Sequence, residues 1–156
     1  MSGRGFTLIE MLVTVAVVAV LAAMAVPVGL VTVQRAKEGE LRTALRQIRE
    51  GIDTYKRYVD EGRIARAADA NGYPPHLEDL VRGAPDAKSP GAARIYVMRR
   101  IPRDPFNTDA AIAASETWGR RSYASPPDAP EEGRDVFDVY SRSPSIGLNG
   151  IPYRDW

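Results

Sequence analysis

From Phe6 to Val33 the chain is almost uninterruptedly apolar, broken only by Thr7, Glu10, Thr14, Pro27, Gly29 and Thr32. As a helix these about 28 residues would extend roughly 42 Å, against about 30 Å for the hydrocarbon core of a bilayer. Such a segment can cross a membrane and continue beyond it. A secretory signal peptide would instead have an apolar core of only about 7–15 residues followed by a small-residue cleavage site. Beyond Val33 the helical pattern continues, with Leu41, Leu45, Ile48, Ile52, Tyr55 and Val59 spaced alternately by four and three residues, so that they share one face. The spacing predicts one long helix that changes from lipid-facing to amphipathic along its length.

Two residues depart from lipid logic. Glu10 places a carboxylate near the start of an apolar helix, where a central acidic group would cost about 2.5–3.5 kcal/mol on insertion scales. By position alone it is either a solvated charge at headgroup level or a charge with a partner. Pro27 removes a backbone donor in mid-helix and clashes with the carbonyl of Ala23, which predicts a kink or a turn able to melt.

The remaining composition excludes more than it suggests. Lys and Arg total 21 against 20 Asp and Glu, a formal charge of +1, so there is no electrostatic reason to propose a nucleic-acid partner. The absence of cysteine rules out a disulfide framework, a thiolate metal cluster and a cysteine nucleophile. The single histidine, His76, follows Pro74-Pro75 at an expected helix start and reads as solvated or capping. Glu78 with Asp79, and Glu131 with Glu132, read as solvated faces, since acid–base pairs need burial to move their pKa values. The serines of Ser141 to Ser145 lack the context and partners of a hydrolase. Arg35, Lys37, Arg42, Arg46 and Arg49 alternate with Glu38, Glu40 and Glu50, which suggests a solvated or subunit-facing helix surface. Nothing resembles a P-loop, so the sequence gives no reason to expect ATP hydrolysis by the chain itself.

The string Gly5-Phe6-Thr7-Leu8-Ile9-Glu10, preceded by a short leader with Arg4 and followed by the apolar helix, resembles the prepilin signature of type IV pilins and pseudopilins. The resemblance implies cleavage between Gly5 and Phe6 by a membrane-embedded prepilin peptidase, N-methylation of Phe6, and pairing of the Glu10 carboxylate with the N-terminal amine of a neighbouring subunit. Gly5 suits a peptidase cleft, because it has no Cβ to obstruct close backbone approach. A buried charge pair is stabilising only in good geometry, so the Glu10 pair would act as a register device. Pro27 matches the position where family members interrupt the helix.

The soluble part is expected to begin with a loop, the long helix ending near residues 60–67. Gly72-Tyr73-Pro74-Pro75 is a turn signal, and Leu77, Leu80 and Val81 form one short helical face. Strands are expected at Ile95 to Met98, Trp118 to Ala124 and Asp135 to Ser141. The fold class is therefore α+β, a long helix on a small antiparallel sheet. The organisation is a leader at 1–5, a transmembrane assembly helix at 6–33, its amphipathic continuation at 34–66 and a periplasmic globular domain at 67–156.

Gly72-Tyr73-Pro74, Ile101-Pro102-Arg103-Asp104-Pro105-Phe106, Asp138-Val139-Tyr140-Ser141 and Tyr153-Arg154-Asp155-Trp156 also resemble the major, G-type pseudopilins of type II secretion, where a tryptophan usually stands in place of Phe106. That likeness implies a single-pass inner-membrane protein that assembles with itself into a short periplasmic filament. Its other partners would be minor pseudopilins, the prepilin peptidase and the inner-membrane assembly platform. The implied role is structural, not enzymatic. An alternative within the superfamily is a type IV pilus pilin for adhesion, motility or DNA uptake. An alternative from another class is a binding or enzymatic domain that the helix merely tethers. Many major pseudopilins carry a calcium-binding C-terminal loop, but Ser141 to Gly150 here contains no carboxylate and includes Arg142. Calcium needs several oxygen ligands, so no cofactor is expected. Asp138 and Asp155 are the nearest candidate ligands, Ile146 and Leu148 are expected to fasten the loop by apolar contact, and Tyr153 and Trp156 to dock the C-terminus.

Overall fold

The computed structural model describes residues 7–89, 91 and 93–156, with side chains described for all of these except 24–28. The chain divides into two compact units, one ending at Ala36 and the other running from Lys37 to Trp156. Helix α1, Leu8–Asp60, contributes to both.

In the first unit α1 starts at a capping box. The Thr7 hydroxyl accepts from the Glu10 backbone N–H at 3.3 Å, and Glu10 Oε2 accepts from the Thr7 N–H at 3.4 Å. This reciprocal pattern satisfies two of the donors that a helix start leaves open. The described aliphatic side chains that follow are open, from Leu8 at 84% exposure to Leu30 at 68%.

In the second unit the predicted face of α1 is the floor of the core. Leu41, Leu45, Ile48 and Ile52 are buried and pack with Leu77, Leu80, Trp118, Val136, Val139 and Tyr153. The helix stops at Asp60, the early edge of the expected range, for a local reason. Gly62 has φ of 68°, its N–H donates to Val59 O, and the Arg63 N–H donates to Tyr58 O. These two bonds form a Schellman motif, in which glycine tolerates the left-handed turn that ends the helix. Ile64 then buries against Val59 and Ile95 in a second small apolar cluster.

Leu77 and Leu80 are fully buried around the short helix α2, Asp79–Arg82, whose start is tied by the His76 N–H donating to the Asp79 carboxylate. The antiparallel part consists of two ladders. Strand β1, Ala84–Pro85, pairs with β2, Arg94–Ile95. Strand β3, Trp118–Arg121, pairs with β4, Asp138–Ser141, with Trp118 opposite Ser141 and Arg121 opposite Asp138. All three expected strands exist but are shorter than their apolar runs. Val97 and Met98 donate their backbone N–H groups to Leu80 O, leaving the β2 ladder. The N–H groups of Ser122 and Tyr123 go to Glu131 O and the Asp135 carboxylate, which ends β3. β1 has no β-branched or aromatic residue and was not legible as a strand.

Candidate functional site

The residues expected to carry processing and assembly lie at the start of the chain. Gly5 and Phe6 fall outside the described residues, and Pro27 lies in α1 within the stretch whose side chains are not described. Glu10 is described: it is exposed in the first turn of α1, with Oε2 3.5 Å from the Thr7 hydroxyl. A carboxylate here suits the positive end of the helix dipole and is open to a cationic partner. Among the described residues no helix is long and apolar enough to cross a membrane.

The segments of the soluble half that carry the resemblance are bound into the packed structure. Asp104 is buried at 2% exposure. Its Oδ1 accepts from the Phe106 N–H at 2.8 Å, its Oδ2 from the Ser141 hydroxyl at 2.5 Å, and its own N–H donates to the Thr117 hydroxyl at 3.1 Å. Trp118 Nε1 donates to Pro102 O at 2.8 Å, so the segment 101–106 is bound to both β3 and β4. The Pro74 carbonyl of the turn signal accepts from the Val136 N–H. Tyr73, Tyr123 and Phe137 form an aromatic cluster with centroids 5.0–5.6 Å apart.

Two charged residues of α1 are corrections to the sequence reading. Glu38 is not on a solvated or subunit-facing surface but is 4% exposed. Its Oε1 accepts from the Leu148 N–H at 2.7 Å and from the Tyr153 hydroxyl at 3.0 Å. Arg49 is half-buried and donates to Asp138 Oδ1 at 2.8 Å, Val139 O at 3.2 Å and Trp156 O at 2.8 Å. Their heptad positions flank the apolar stripe, and the C-terminal segment folds over that edge. Arg35, Arg42, Arg46, Glu40 and Glu50 are exposed as expected. Ile146 and Leu148 are also corrected: they are 58% and 44% exposed, and the loop's tie to the helix at this point is a backbone bond. Tyr153 docks the C-terminal segment, fully buried, with Trp156 edge-on to it at 5.0 Å and Arg42 over the Trp156 ring at 4.2 Å.

Among the described residues, the histidine and carboxylates considered for acid–base work are not gathered into one site. His76 is exposed, and Glu131 and Glu132 lie at the surface, Glu132 pairing with Arg120 and Arg142. Glu78 has its carboxyl held below the usual range by a hydrogen bond with Ser115, the opposite of what a general acid requires. Among the described residues no group of three or more potential ligands is placed to hold a metal. The donor set at the C-terminal loop does not fit calcium. Asp138 is engaged by Arg49 and lies 3.6 Å from Arg121, Asp104 has hydrogen-bond donors on both oxygens, and Asp155 faces Arg154 at 3.4 Å. A hard cation needs several unclaimed oxygens, whereas these carboxylates already face N–H, O–H and guanidinium groups.

Residues 1–26 match the family of the prokaryotic N-terminal methylation motif. That match lies at the start of the long N-terminal helix, on a chain that continues into a small antiparallel α+β unit. Along most of its length the chain is similar to the Type II secretion system core protein G of Klebsiella pneumoniae. The two are 29% identical over 139 residues, covering 85% of this chain and 91% of the relative. No solved structure matches the chain.

Proposed function

We propose that the chain is a pseudopilin subunit of the type II secretion system, assembling through its N-terminal helix into a filament that supports protein export across the outer membrane. The observation that carries this reading is the conjunction of the methylation motif at residues 1–26 with similarity to a core protein G along 85% of the chain. In this reading residues 1–5 are a leader, cut between Gly5 and Phe6 by a prepilin peptidase, and Phe6 is then N-methylated. Residues 6–33 anchor the subunit in the inner membrane in a single pass and hold the globular part in the periplasm. The open aliphatic side chains of α1 bury against other copies, and Pro27 is where the helix bends or melts on entering the filament. Minor pseudopilins and the inner-membrane assembly platform are the other partners. The protein is a structural subunit, not an enzyme, and has no nucleic-acid partner.

Glu10 carries the register. The Phe6 amine of a neighbouring subunit replaces weak contacts to Thr7, and a subunit shifted along the bundle leaves two charges unpaired at a cost of several kcal/mol. Intact mass and N-terminal sequencing of protein from membranes of a host with its prepilin peptidase test the processing; a chain still starting at Met1 overturns it. Glu10→Ala is expected to abolish filament formation while the protein remains membrane-bound. Equal filament yield from the variant and the wild type would favour a merely tethered domain.

A further inference from the structure

The C-terminal loop, residues 142–152, carries no carboxylate. Its conformation is nevertheless determined at several points. The Gly147 N–H donates to Ile151 O, the Gly150 N–H to Gly147 O, the Ile151 N–H to the Asn149 side chain, and Ile146 bridges Pro152. All of these bonds lie within the loop. Hydrogen bonds from Leu148 and Tyr153 tie this segment to Glu38 of α1, distant by 110 and 115 positions in sequence.

We infer that the buried Glu38 carboxylate fastens the C-terminal loop to α1 in place of a divalent cation, so that the loop is ordered without calcium. The chemistry reverses the usual arrangement. A calcium loop turns oxygens towards a positive ion. Here the loop and the segment after it turn donors, the Leu148 N–H and the Tyr153 O–H, towards a negative group. A carboxylate holds such donors by charge-assisted bonds, which are shorter and stronger than neutral ones. Arg42 lies 3.8 Å from Glu38 Oε2, so the buried charge also has a cationic neighbour on its own helix. The same Arg42 covers the Trp156 ring. A cation brought to the loop would meet Arg142, Arg154 and Arg42, while the nearby Asp138 and Asp155 already face guanidinium groups.

The test uses the full-length protein in detergent, with tryptic cleavage after Arg142 and Arg154 and Trp156-sensitive fluorescence as readouts. In the wild type, cleavage rates and the melting temperature are expected to be the same with calcium chloride and with EDTA. Glu38→Ala is expected to speed cleavage after Arg142 at least about tenfold in both conditions, the effect on a local opening equilibrium of removing the acceptor of both the Leu148 and the Tyr153 hydrogen bonds. Glu38→Gln is expected to keep most of the protection, because an amide oxygen can accept from the same two donors. Should Glu38→Ala fail to fold, the wild-type comparison and Glu38→Gln still decide. Calcium-dependent protection of the wild type would make the cation the fastener and overturn the inference, as would unchanged protection in a folded Glu38→Ala.

Discussion

Phe106 lies flat on Tyr153, with ring centroids 4.1 Å apart and planes inclined by 23°. The contact joins the segment 101–106 to the C-terminal segment, which meets α1 through the Tyr153 hydroxyl on Glu38. Phe106 is only partly buried, so Phe106→Ala should cost less than truncating a full core aromatic, about 2–3 kcal/mol of unfolding free energy. Chemical denaturation checks this, and a loss below about 0.5 kcal/mol, typical of surface substitutions, would mean that the stack contributes little.

Asp104 and Ser141 meet at 2.5 Å in the core, and Asp104→Ala should be among the more damaging polar substitutions. It leaves the Ser141 hydroxyl and the Phe106 N–H without their acceptor, at a cost of about 2–4 kcal/mol. Asp104→Asn retains one oxygen for the Phe106 N–H, while the serine hydroxyl can rotate to accept from the amide. Its loss should be about 1 kcal/mol. Equal losses in thermal denaturation of the two variants would show that shape, not hydrogen bonding, matters there.

The Arg63 guanidinium, hydrogen-bonded to Asp86 at 2.8 Å, holds that carboxyl below the ordinary aspartate range, helped by the Lys88 N–H. A group depressed in the folded state contributes stability above its unfolded value, about pH 3.9, and loses it as pH falls through the lower folded value. Asp86→Asn and Arg63→Gln should therefore melt at temperatures closer to the wild type below about pH 3 than at neutrality. Melting curves that stay the same distance apart from neutrality into that acid range would rule out this linkage.

How far the sequence determines the protein differs along the chain. The apolar run and the four-three spacing of Leu41 to Val59 are one-dimensional patterns, and each has a one-dimensional cause in helical periodicity. The same holds for the end of α1 near Gly62 and the burial of Leu77 and Leu80. The strands were legible in position but not in length, because their ends are set where a backbone N–H finds Leu80 O or the Asp135 carboxylate.

What only the tertiary structure decided is which charges go inside. By composition Glu38 and Arg49 belong with their solvated neighbours Glu40 and Arg46, and Leu148 belongs in the core. The C-terminal segment closes over the edge of α1 that carries Glu38 and Arg49, and it meets them with backbone groups. A buried N–H or carbonyl must be paired whatever its side chain, so charges are drawn in to satisfy the backbone while Leu148 is left outside. Local sequence does not encode that choice, because the partners are about 90 to 115 residues apart.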